Sequence, residues 1–323
     1  MFVPRSPDPA RQLDQDMRED LADSLGRLGE MAAAVLPADA GMEPALAHIR
    51  AHRVQPGVFA RYYDLVFALQ RQDYAQAPTL WREIAVLAAE AAELRVIPYD
   101  PGLLGDDCDR FGRLAGLGDG GGHLFAPPPG PNWKSFEPTA LDAISLLGRI
   151  DPAWSGEFEA LVTRVIGAVP GEDARRRFAS ASSFMIWGAI FTNVGQARDR
   201  LQVLVSLMHE ATHKLLFGLA RREPLVANPV GERYVSPLRP DPRPMDGVFH
   251  ATYVAARLTR FAEVLASAEK QLTPEEAAWA RDRITGFRQR FREGHAVVVK
   301  DAQLTPLGRR LMEEAADHVL AAA

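Results

Sequence analysis

Two histidines four residues apart, with a glutamate directly after the first, are the residues of this chain best suited to chemistry: His209-Glu210-Ala211-Thr212-His213. On an α-helix, positions i and i+4 share one face, one turn apart, so both imidazoles can reach a single metal ion. Glu210, at i+1, points about 100° round the helix. There it can act on a metal-bound water, or orient a ligand, without blocking the ion. With this composition the five-residue pattern arises by chance about 0.01 times in a chain of this length. The flanks, Leu201 to Met208 and Lys214 to Phe217, are apolar nearly all round, which predicts a buried helix. Buried His and Glu need partners, and a metal ion would supply one. The alternative is a pair of core histidines satisfied by hydrogen bonds.

Two histidines do not make a tight site, so a third ligand is required. A second histidine pair element of the long metzincin type would need Gly and His where the chain has Leu216 and Leu219. An acidic third ligand could come from Glu223, Glu232 or Glu263. His250 is the stronger candidate. It opens an apolar helical stretch, and helical spacing puts Tyr253, Val254 and Arg257 on its face. Arg257 could bind a carboxylate bidentately, or pair with Glu263 or Asp246 at a helix surface.

The elements that must position these residues are mainly helical, an α+β chain with a small sheet. Apolar positions recur at three- and four-residue steps over 17–35, 43–53, 57–70 and 78–94, which predicts an N-terminal helical region over 1–98. The Gly- and Pro-rich stretch 99–137 is expected to be a long loop. Its glycine run, 116–123, lacks the Lys-Ser/Thr of a phosphate loop. A metal-binding catalytic domain is expected over 138–323, with helices at 138–149 and 154–168. Ser182 to Phe191 reads as the best strand, closed by a turn at Thr192–Gly195, and the metal-motif helix follows over about 196–219. That order is a zincin-like strand–turn–helix core. The segment 222–246 is irregular, and helices are predicted over 247–270 and 274–292. Thr273-Pro274-Glu275-Glu276 is a start signal for the second. His295 to Lys300 is expected to be a short strand, and Thr305-Pro306 opens a last helix.

The whole chain narrows the function classes. Its 323 residues carry a net charge of −5 and no long basic run, which argues against a nucleic-acid partner. The longest apolar run, Phe184 to Phe191, is too short to cross a bilayer. The single cysteine, Cys108, excludes an intramolecular disulfide framework and reads as a small hydrophobe. With no signal-peptide pattern, a soluble cytoplasmic protein is expected. Oligomeric state is open, a homodimer included.

Three segments carry a resemblance. They are Leu207-Met208-His209-Glu210-Ala211-Thr212-His213, Tyr234-Val235-Ser236-Pro237-Leu238-Arg239-Pro240-Asp241-Pro242-Arg243-Pro244, and Gly247-Val248-Phe249-His250 with its helix through Arg257. Together they resemble the HEXXH-motif proteins encoded beside ribosomally made, post-translationally modified peptides. The likeness spans about 182–265. That family is understood as iron(II)- and 2-oxoglutarate-dependent β-hydroxylases of precursor-peptide side chains. The resemblance implies Fe(II) on His209, His213 and His250, with O2 and a precursor peptide as further substrates. It casts Glu210 as a group that orients water or a ligand. Arg257 is the candidate for the 2-oxoglutarate carboxylate, with Tyr253 beside it. Arg239 and Arg243, on the approaching loop, could serve 2-oxoglutarate or an acidic substrate side chain. Zinc peptidases share the five-residue motif, so a Zn(II) metallopeptidase with Glu210 as general base is the competing expectation. A non-catalytic peptide-binding protein with a structural metal is a third.

Overall fold

The structure is a computed structural model, and it describes residues 2–38, 41–117, 124–172, 178–196, 199–236, 241–268 and 270–321. Helices dominate and a small mixed sheet accompanies them. In order they are α1 (Asp8–Met31), α2 (Met42–Ala51), α3 (Pro56–Gln70), α4 (Ala77–Leu87), β1 (Arg95–Pro98), α5 (Pro101–Leu104), α6 (Asp107–Gly116), β2 (Phe125–Ala126), α7 (Gly130–Ile150), α8 (Pro152–Leu161), β3 (Arg164–Pro170), β4 (Ser180–Ser182), β5 (Ala189–Asn193), α9 (Arg200–Leu219), α10 (Met245–Ser267), α11 (Pro274–Asp301) and α12 (Pro306–Ala321). Among the described residues no helix is long and apolar enough to cross a membrane. The chain divides into two compact units. One comprises Asp8–Asp142 and Glu157–Lys214, the other Met1–Pro7, Ala143–Gly156 and Leu215–Ala323.

The first of these holds the sheet, ordered β1-β3-β5-β4, with β2 on β3. β1, β3 and β5 are parallel, and β4 runs antiparallel along β5 at the edge. Central β3 is buried over Arg164–Ala168. It corrects the expectation of a helix over 154–168, since α8 ends at Leu161. A continuous apolar run fits a strand buried on both faces as well as a helix, and Val165-Ile166 settles into the sheet. The expected strand Ser182–Phe191 is likewise broken in two. A 3-10 turn at Phe184–Ile186 separates β4 from β5. Gly188 closes the turn at φ 87°, and a Cβ there would lie 2.8 Å from Thr163 Oγ1. Aromatic rings pack this core: Phe125 stacks on Phe191 at 4.1 Å and meets Phe178 edge-on at 5.0 Å. Buried Asp14 on α1 accepts from Trp187 Nε1 and Arg18 Nε, both at 2.9 Å, tying the first helix to the turn before β5.

The stretch 99–137, expected to be loop, holds α5, α6 and the start of α7. Cys108, Phe111 and Leu114 recur at helical spacing and are buried, so α6 forms despite the glycines beyond it. Pro131 sits in the first turn of α7, where a missing N–H costs nothing. The glycines at 118–123 lie outside the described residues.

The second unit is built on α10, α11 and α12. Its core includes Phe2, Leu216, Val248, Phe249, Tyr253, Phe291, Val298 and Leu311. Helix α11 begins with the expected capping box: Thr273 Oγ1 accepts from the Glu276 N–H, and the Glu276 carboxylate accepts from the Thr273 N–H. It then runs to Asp301, which overturns the expected strand at His295–Lys300. Burial of Val298 on the helix's apolar face outweighs the β-propensity of Val297-Val298-Val299. α10 and α11 cross closely at Gly294, where a Cβ would lie 2.2 Å from Thr252 Oγ1.

Candidate metal centre

Asp199 caps α9, its Oδ1 accepting from the Gln202 N–H at 2.9 Å. Leu201, Leu204, Leu207, Met208 and Ala211 bury the helix. His209 and His213 stay half-buried on one face, as their spacing requires. Their Nε2 atoms lie 3.2 Å apart and the ring centroids 4.9 Å. Two imidazole nitrogens each about 2.0–2.1 Å from one ion, subtending 90–110°, would be about 2.9–3.4 Å apart. The pair therefore fits a divalent ion's bite. With one ring protonated, the same spacing is a hydrogen bond.

Glu210 is buried and its two carboxylate oxygens are both engaged. Ser180 Oγ donates to one and Ser182 Oγ to the other, each at 2.6 Å. The two serines are i and i+2 on β4, so their side chains leave the same face of the strand. Oε1 lies 3.9 Å from His209 Nε2. One turn on, fully buried Lys214 donates from Nζ to the carbonyls of Ser183 and Ile186, both at 2.7 Å. Burial pulls its pKa down to about 7, opposed by the negative charge of Glu210. Neither the serine pair nor Lys214 stood out in the sequence. The Ser-x-Ser spacing is a signal only once the strand and its facing helix are known.

In the second unit, α10 carries His250, Tyr253 and Arg257 on successive turns, all buried. His250 packs against Phe217 with centroids 5.4 Å apart, and its Nε2 is 3.7 Å from Asp246 Oδ1. Burial holds its imidazole toward the neutral, metal-ligating form, against the opposing pull of Asp246. Tyr253 lies edge-on to Phe2 at 5.8 Å. Arg257 is wholly buried with its guanidinium 4.6 Å over the Trp154 ring, so it does not lie at a helix surface. Arg243 exchanges both backbone hydrogen bonds with Tyr234, at 2.8 and 2.9 Å, and its Nε is 3.9 Å from Asp241 Oδ2. The two residues bracket the Ser-Pro-Leu-Arg segment, of which Arg239 lies outside the described residues.

The acidic alternatives for a third ligand all have other work. Glu263 accepts from Arg260 at 3.2 Å and Arg288 at 3.1 Å, and lies 3.2 Å from His318 Nε2. Glu223 accepts from the Leu307 N–H at 3.2 Å, and exposed Glu232 accepts from the Tyr234 hydroxyl. Among the described residues no group of three or more His, Cys, Asp or Glu is assembled as a metal cage. Within its unit, the motif thus brings together His209, His213 and Glu210, and adds Ser180, Ser182 and Lys214. Compared with known proteins, the chain matches no family, and no curated protein matches it.

Proposed function

We propose that the protein is an Fe(II)- and 2-oxoglutarate-dependent oxygenase that hydroxylates the β-carbon of a side chain in a ribosomally made precursor peptide. The observation that carries the reading is the division of labour on α9. The His209–His213 pair has the bite of a metal chelate, while Glu210 is tied by two serine hydroxyls. A peptidase general base must take a proton from metal-bound water and pass it on. A carboxylate with both oxygens engaged by serine hydroxyls is better placed to fix the helix than to shuttle protons.

In this reading His209 and His213 hold the iron, and His250 enters as third ligand from the sequence resemblance. Iron with 2-oxoglutarate and O2 supplies oxidative decarboxylation to succinate and CO2, with one oxygen atom inserted into a C–H bond. The chain's own residues bind and exclude. Arg257, buried and held over Trp154, offers a dry cation for the distal carboxylate of 2-oxoglutarate. Tyr253 shares its helix face. Neutral imidazoles leave the ion's positive charge uncompensated, which favours an anionic chelator. The frame of β5, turn and α9, with β4 at the sheet edge, is the part that this reading takes as a zincin-like core.

The Zn(II) peptidase remains the second reading, because Glu210 Oε1 lies 3.9 Å from His209 Nε2 on the motif's own helix. One experiment separates the two. The purified protein is incubated with Fe(II), 2-oxoglutarate, ascorbate and precursor peptide, and in parallel with Zn(II) and peptide. A peptide gaining one oxygen, with succinate formed, supports the oxygenase. Cleavage in the Zn(II) arm with no oxygen gain in the other overturns it.

A further inference from the structure

Lys214 is a fully buried amine beside the candidate centre, and the proposed chemistry gives it no task. It follows Glu210 by four residues on α9, so the two side chains share a face offset by about 100° from the imidazole pair. That face grips a single short segment. Glu210 takes the hydroxyls of Ser180 and Ser182 at 2.6 Å, and Lys214 takes the carbonyls of Ser183 and Ile186 at 2.7 Å. The ring of Trp187 lies 5.9 Å from its Nζ. Four hydrogen bonds therefore fasten β4 and the 3-10 turn to the helix, two from each tooth.

The geometry points to Lys214 as a positioning residue for the metal site: by holding the turn at Ser183–Ile186, it keeps Ser180 and Ser182 on Glu210 and so keeps that carboxylate off His209. The alternative position for Glu210 is close at hand, since its Oε1 is already 3.9 Å from His209 Nε2. A carboxylate released from the serines has that ring within reach, and a His209 Nε2 hydrogen-bonded to Glu210 is protonated there and closed to a metal. Two carbonyl oxygens on one Nζ also explain the residue type. An apolar side chain would take the Nζ donor from both carbonyls, leaving that of Ser183 only the Ile186 N–H at 3.2 Å, and a glutamine could serve only part of the task.

This inference rests on the reading of His209 and His213 as metal ligands, and its test needs no substrate. Co(II) alone is titrated into the full-length protein, its visible ligand-field absorption recorded, for wild type, K214M, K214Q and K214R. Circular dichroism at low temperature establishes that each is folded. Wild type is expected to bind. K214M and K214Q should bind at least tenfold more weakly with an altered ligand-field spectrum, and K214R, which keeps the charge and several donors, should recover affinity to within about threefold of wild type. A folded K214M or K214Q with wild-type affinity and spectrum overturns the positioning role alone, as does a folded K214R that fails to recover binding. A wild type that takes up no Co(II) overturns the metal reading, and this role with it.

Discussion

His209 and His213 turn their Nε2 atoms toward each other across 3.2 Å on one face of α9. The spacing is set by one turn of helix and fits a shared ion without rearrangement of the backbone. Replacing either ring should therefore cost affinity outright. H209A and H213A are each expected to weaken Co(II) or Fe(II) binding on the order of 100-fold or more, measured by calorimetry under anaerobic conditions. Unchanged affinity in both would show that the pair is only a hydrogen bond.

Glu210 gives a stability prediction. Its carboxylate is buried, and each serine supplies a charge-assisted hydrogen bond at 2.6 Å. Such bonds contribute roughly 1.5–3 kcal/mol apiece, so S180A/S182A should lower unfolding free energy by several kcal/mol in a urea titration. E210Q separates the two chemistries. Oxygen transfer to peptide should persist at a reduced rate in E210Q, whereas a peptidase would lose its general base and all turnover.

Glu263 gives the opposite pattern. It satisfies Arg260 and Arg288 and lies against His318. E263A is expected to destabilise the protein by about 1–3 kcal/mol and to leave metal affinity within about twofold. A large loss of metal with little change in stability would make Glu263 the third ligand and restore the peptidase reading.

Cys108 supplies the pH dependence. Burial, followed by the negative charges of Asp100, Asp107 and Asp109, pushes its thiol up to about 11. The folded state thus holds the proton more tightly than the unfolded one, whose ordinary value is 9.0. Below that value both states are protonated and the residue is neutral for stability. As pH rises from about 9 to 11 the unfolded chain ionises first, and stability falls. C108A should flatten that alkaline decline. At neutral pH, labelling of Cys108 by a thiol reagent should be slow in the native protein and fast in denaturant. Rapid native labelling would contradict the buried placement.

Arg257 tests the co-substrate assignment. R257K keeps the charge but loses the planar fork held over Trp154. It should raise the KM for 2-oxoglutarate at least tenfold, followed as succinate release, with little change in metal affinity. A KM that stays at the wild-type value would free Arg257 from that role.

Much of this protein is written locally in the chain. The His-Glu-x-x-His spacing on an apolar helix, the capping box at Thr273–Glu276 and the helices of the N-terminal ninety residues all follow from periodicities and end signals within a few residues of each other. Tertiary structure alone decided the rest. Val165-Ile166 became the central strand because parallel neighbours pair with both its edges and the core buries its side chains, and Val297-Val298-Val299 stayed helical because a core received Val298. The partners of Glu210 and Lys214 lie about thirty positions upstream, on a strand and turn that no local pattern aligns with α9. Hydrogen bonds between distant segments depend on register and crossing geometry, and those are fixed by the collective packing of the fold rather than by the residues that make the bond.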